Sequence, residues 1–130
     1  MNAAPIPDDL KRFILLGIPS IPYLEAMLLL RSETAQPWDA RQVAQRLYQN
    51  EKVAQALLAE LHAGGVIEAD DEQAQQFRYS PHSKDLRQMI DRLAEVYAKN
   101  LIGVTNLVHS SNNKRKAQTF ANAFIWRKDL

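Results

Sequence analysis

Apolar residues recur at helical spacing through most of this chain, and Pro and Gly cut the pattern into short runs. Leu10 to Leu16 is the first run, stopped by Gly17 and Pro19. Ser20 ahead of Ile21 and Pro22 predicts a second helix: a hydroxyl N-cap, Pro in the first turn, and Glu25 near the positive helix end. Leu24, Met27, Leu28 and Leu30 carry it to Arg31, and residues 32–37 read as a polar loop. Asp39 predicts the cap of a further helix with Val43, Ala44 and Leu47 inward, followed by a turn at Tyr48 to Asn50. Asn50 then caps a run of about 13 residues whose apolar stripe is Val53, Leu57, Leu58 and Leu61. Gly64 and Gly65 supply a left-handed stop. Beyond them the pattern predicts a hairpin, Val66 to Ala69 against Phe77 to Ser80, about a polar tip from Asp70 to Gln76.

After Pro81, His82 and Ser83 the spacing becomes helical again. Leu86, Met89, Ile90, Leu93, Val96, Tyr97, Leu101, Val104, Leu107 and Val108 keep three-and-four steps, predicting one helix of roughly 35–40 Å. Gly103 weakens that helix without ending it. A stripe of this length exceeds what one small domain covers, so the expectation is packing against the same helix of a second copy, a twofold homodimer. Ser110 to Asn113 break the pattern, and residues 114–130 combine basic and aromatic side chains. Phe120, Phe124 and Trp126, beside Lys114, Arg115, Lys116, Arg127 and Lys128, are candidate partner-binding residues, suited to an acidic protein groove, nucleic-acid backbone or a membrane surface. The plainer alternative folds Phe120 and Phe124 back on the long helix or on the partner subunit. The expected organisation is therefore residues 10–81, 82–109 and 110–130.

Composition narrows the chemistry. With 130 residues and 46% apolar content, one compact domain with an appendage is expected. The absence of cysteine excludes disulfides, thiolate metal sites and cysteine nucleophiles. No apolar run approaches the ~20 residues of a membrane span. The first residues lack a basic segment followed by an apolar one, so a cytoplasmic protein without a membrane partner is expected. Net charge is +1 but uneven: residues 1–36 carry −1, residues 37–80 carry −3 and residues 81–130 carry +5.

His62, His82 and His109 are isolated, and none has metal-ligand spacing. Asp70, Asp71 and Glu72 read as a solvated tip, and Gly64 and Gly65 lack the Lys-Ser/Thr of a phosphate loop. The expectation is a protein that is not an enzyme, with no catalytic residues, metal or cofactor.

The run after Asn50 presents Glu51, Lys52, Gln55, Ala56, Ala59 and Glu60 outward. Asn50 and Gln55 are suited to adenine edges and Lys52 to guanine or phosphate, while Arg41, Arg46 and Arg78 are suited to phosphates. Two glutamates and two alanines on the same face lower phosphate affinity, and the acidic tip repels phosphate. Val43, Ala44 and Leu47, then Val53, Leu57 and Leu61, then Gly65 to Glu68 and Phe77 to Pro81, together resemble a winged helix–turn–helix of bacterial transcription regulators. The likeness covers about a third of the chain, and its motifs are generic. It implies a mainly α fold: a three-helix core with a β-hairpin wing, then a long C-terminal dimerisation helix and a short tail helix. It also implies a homodimeric regulator that binds double-stranded DNA. The alternative is a winged-helix module that binds another protein and not DNA.

Overall fold

Short helices make up most of the structure, a computed structural model that describes residues 5–73 and 75–110. In chain order the elements are α1 (Asp8–Gly17), α2 (Ile21–Ser32), α3 (Ala40–Leu47), α4 (Glu51–Ala63), β1 (Ile67–Ala69), β2 (Phe77–Tyr79) and α5 (Lys84–Lys99). The fold is mainly helical, with one two-stranded antiparallel sheet. The described residues form two compact units, one of residues 21–95 and one of residues 5–20 with 96–110. Helix α1 therefore belongs with the second of these and not with the 38–81 segment.

Local chemistry sets the bounds of α3 and α4. Asp39 and Gln42 make a reciprocal capping box: Gln42 N–H donates to Asp39 Oδ1 at 2.8 Å, and Asp39 N–H donates to Gln42 Oε1 at 3.0 Å. Tyr48 ends α3 in the left-handed region, φ 55° and ψ 42°, which turns the chain toward α4. An L-residue there is strained by about 1–2 kcal/mol. Asn50 Oδ1 accepts from Val53 N–H at 2.8 Å and caps α4. Gly65 follows α4 at φ 76°, and a Cβ at that position would lie 2.7 Å from His82 Nδ1.

In the unit of residues 21–95, α2 packs on α3, α4 and β2. Leu24, Met27 and Leu30 of α2 are buried, as are Ala54, Leu57 and Leu61 of α4 and Ile90 and Leu93 of α5. Each buried aliphatic side chain of leucine size stabilises by about 1.5–3 kcal/mol. The hairpin pairs Ile67 with Tyr79, Glu68 with Arg78 and Ala69 with Phe77. A third ribbon braces it: Trp38 N–H donates to the Phe77 carbonyl, and Phe77 N–H to the Trp38 carbonyl, each at 2.8 Å. The Trp38 ring is 1% exposed, and its Nε1–H donates to the Glu33 carbonyl at 2.9 Å.

The single helix expected over residues 84–108 is two helices. α5 ends at Lys99, Asn100 lies outside helix, and residues 101–110 are helical again. Asn100 Oδ1 accepts from Gly103 N–H at 3.0 Å, an N-cap in the middle of an unbroken apolar rhythm. A Cβ at Gly103 would lie 2.5 Å from Asn100 Nδ2, so the Asn100 amide packs directly over this glycine. Four positions of the stripe assigned to a dimer contact, Ile90, Leu93, Val104 and Val108, are buried within one chain, whereas Leu101 and Ile102 are exposed. In the unit of residues 5–20 with 96–110, the buried side chains are Leu10, Ile14, Ile18, Val104 and Val108. Phe120, Phe124, Trp126 and the expected tail helix lie outside the described residues. Among the described residues no helix is long and apolar enough to cross a membrane.

Candidate nucleic-acid interface

Helix α4 has two faces. Ala54, Leu57 and Leu61 face the core, and Glu51, Lys52, Gln55, Ala56, Ala59 and Glu60 are exposed, as the spacing predicts. Asn50 sits at the entry, but its carbonyl oxygen is engaged by the cap, leaving the amide nitrogen for an outside contact. A groove of about 680 Å³ runs between the start of α3, the outer side of α4 and the start of β2. Its lining combines the polar Arg41, Glu51 and Gln55 with the apolar Leu58, Ala59 and Phe77. His62 also lines it, its ring 5.5 Å from the Phe77 ring and tilted by 58°.

The three arginines of the candidate set stand in different surroundings. Arg41 is exposed on the first turn of α3, without an ion-pair partner among the described residues. Arg46 makes a two-pronged pair with Glu33, Nη1 to Oε2 at 2.8 Å and Nη2 to Oε1 at 3.1 Å. Its guanidinium also lies 5.5 Å from the Trp38 ring centroid. Arg78 Nε donates to Asp70 Oδ1 at 2.8 Å, and its Nη1 donates to the Thr34 carbonyl at 3.0 Å. The fold thus commits two of the three phosphate candidates to its own carboxylates. The Arg46 hydrogen bond holds the Glu33 carboxyl below the ordinary range, against a smaller opposing effect of burial. With a lowered folded-state value, the pair is intact at neutral pH and is lost as pH falls through the Glu33 titration.

The acidic tip is not the free cluster that the sequence suggests. Asp70 pairs with Arg78, and Asp71 Oδ1 accepts from Gln75 N–H at 2.9 Å and Gln76 N–H at 3.1 Å, closing the turn. No group of three His, Cys, Asp or Glu among the described residues is arranged to hold a metal ion. His82 N–H donates to the Gly65 carbonyl at 2.9 Å, a structural contact at the foot of the hairpin. Sequence reasoning missed Tyr48, 95% exposed at the turn between α3 and α4. Its only sequence signal was an aromatic residue in the turn, two positions before the Asn50 cap. Tyr79 was missed as well: its hydroxyl is enclosed without a hydrogen-bond partner among the described residues. Burial and then the nearby Asp91 push its ionisation above the ordinary tyrosine range.

No protein-family model matches the chain, and no curated protein matches it.

Proposed function

We propose that the chain is a winged helix–turn–helix protein that binds duplex DNA as a transcriptional regulator, with α4 as the reading helix and β1–β2 as the wing. The observation that carries this reading is the setting of α4. Its capped, polar N-terminal half is exposed between a tight turn and a hairpin braced by Trp38. A helix so presented fits the major groove, where Gln55 suits adenine and Lys52 suits guanine or phosphate. Arg41, exposed in the groove lining, is suited to the flanking phosphate.

Fluorescence anisotropy with random-sequence duplex DNA across a salt series tests this directly. Log affinity is expected to fall steeply with log salt, and Arg41→Gln to flatten the slope by about 0.9, one released counterion. A folded protein that binds no DNA at about 50 mM salt removes the proposal.

A homodimer would set two such helices against two half-sites. Leu101 and Ile102 are the large apolar side chains left exposed in residues 96–110 for such a contact. Light scattering should then give twice the chain mass of 14.8 kDa. A strict monomer at micromolar concentration would refute the dimer.

One observation favours a second reading, a module that binds protein and not DNA. The groove beside α4 has Leu58, Ala59 and Phe77 in its lining, and the exposed α4 face carries Glu51 and Glu60 against Lys52 alone. Such a surface suits an amphipathic segment of a partner.

A further inference from the structure

Two guanidinium groups converge on successive residues of the loop between α2 and α3. Arg46 reaches Glu33 from α3, and Arg78 reaches the Thr34 carbonyl from β2. Each is also closed by one carboxylate, Glu33 on Arg46 and Asp70 on Arg78. These side chains are between a third and a half exposed, so both pairs are solvated, and pairs of that kind are weak and exchangeable. The two-pronged contact of Glu33 on Arg46 has the fork geometry that a phosphate uses on arginine.

We propose that Glu33 and Asp70 are internal competitors for phosphate: they occupy Arg46 and Arg78 in the free protein and must be displaced before those arginines engage the DNA backbone. The inference rests on the DNA-binding reading above and adds its regulation. It makes the protein hold DNA weakly until contacts elsewhere on the duplex favour the exchange, which disfavours non-specific sites. It also bears on the charge of −3 over residues 37–80: Asp70, part of that acid, masks Arg78, and Glu33, just ahead of the segment, masks Arg46.

Glu33 offers the cleaner arm of a test, because Glu68 stands opposite Arg78 in the hairpin and can replace Asp70. The full chain is titrated with the same random-sequence duplex over a salt series. Glu33→Gln is expected to raise affinity about threefold to fivefold at low salt. It should also steepen the salt slope by about 0.9, with a smaller further step for Asp70→Asn, where Glu68 can take the lost partner's place. Two controls separate arginine release from simple loss of negative charge. Glu25→Gln, on exposed α2 surface, should leave the slope unchanged. In an Arg46→Ala background, Glu33→Gln should lose its effect. Circular dichroism establishes that each variant is folded.

The failures are distinguishable. If the wild type binds and Glu33→Gln neither tightens binding nor steepens the slope, the competitor role is overturned and DNA binding stands. The competitor role falls in the same way if Glu33→Gln acts equally without Arg46. A wild type that is silent at about 50 mM salt removes the DNA-binding reading, and the competitor role falls with it even if the double variant binds. If neither binds, both the masking and the DNA-binding reading fall.

Discussion

Trp38→Ala should lower the unfolding free energy by about 3–5 kcal/mol, the usual range for emptying a fully buried Trp site. Three contributions leave together: the apolar burial of the ring, the Nε1–H bond to the Glu33 carbonyl, and the surface on which Arg46 rests. The backbone exchange with Phe77 needs no side chain, so it survives in principle but loses the weight that holds it in place. Trp38→Phe separates these parts. It keeps most of the burial and removes the donor, so about 1–2 kcal/mol of loss is expected. Urea unfolding followed by far-ultraviolet circular dichroism measures both. Since small domains have only about 5–15 kcal/mol in hand, Trp38→Ala leaves little margin at physiological temperature. A loss under about 1 kcal/mol would contradict the role given to Trp38 as the brace of the hairpin.

The second large effect sorts the two sides of α4. Leu61 is 0% exposed and faces the core; Leu58 is 2% exposed but lines the groove. Leu61→Ala leaves a void closed on all sides and should cost about 3–5 kcal/mol. Leu58→Ala leaves a void that joins the groove, where water can enter and neighbours can relax, so about 2–3 kcal/mol is expected. Matching denaturant slopes across both variants would show that the difference lies in the native state. Equal losses, or the reverse order, would mean that the groove is not open beside Leu58 in solution. The comparison is informative for function as well, because Leu58→Ala alters the apolar wall on which the protein-binding reading depends.

What is legible in the sequence is whatever is decided within a few residues. Asp39, Asn50 and the Gly64–Gly65 pair act on backbone groups next to them, so α3, α4 and the hairpin can be placed to within a residue or two. The exposed face of α4 follows from spacing alone. The break at Asn100 is hidden because the apolar stripe resumes in phase on its far side, through Val104 and Val108, and a capping Asn does not announce itself inside a continuous rhythm. Gly103 reads in sequence as a weak point of a helix and not as the residue whose N–H the Asn100 side chain caps. The fate of the arginines is out of reach for another reason. Arg46 meets Glu33 across 13 residues and Arg78 meets Thr34 across 44, and no local pattern specifies such pairs. Charge counting finds the deficit of free base on this segment without finding that Arg46 and Arg78 are already occupied.

The contact between Trp38 and Phe77 has a consequence for solubility. Strand β2 is flanked by β1 along its length on one side and, at Phe77, by the Trp38 backbone on the other. Pro37, beside Trp38, has no N–H to offer a passing chain. The outer edge of β1 pairs with no strand among the described residues, but it is three residues long and carries Glu68 at its centre. Short length, a charge and a proline are the devices by which sheets refuse an incoming strand. The ribbon that steadies the hairpin also denies it as a template for aggregation, so the β part of this protein can stay exposed at high concentration without recruiting its own copies edge to edge.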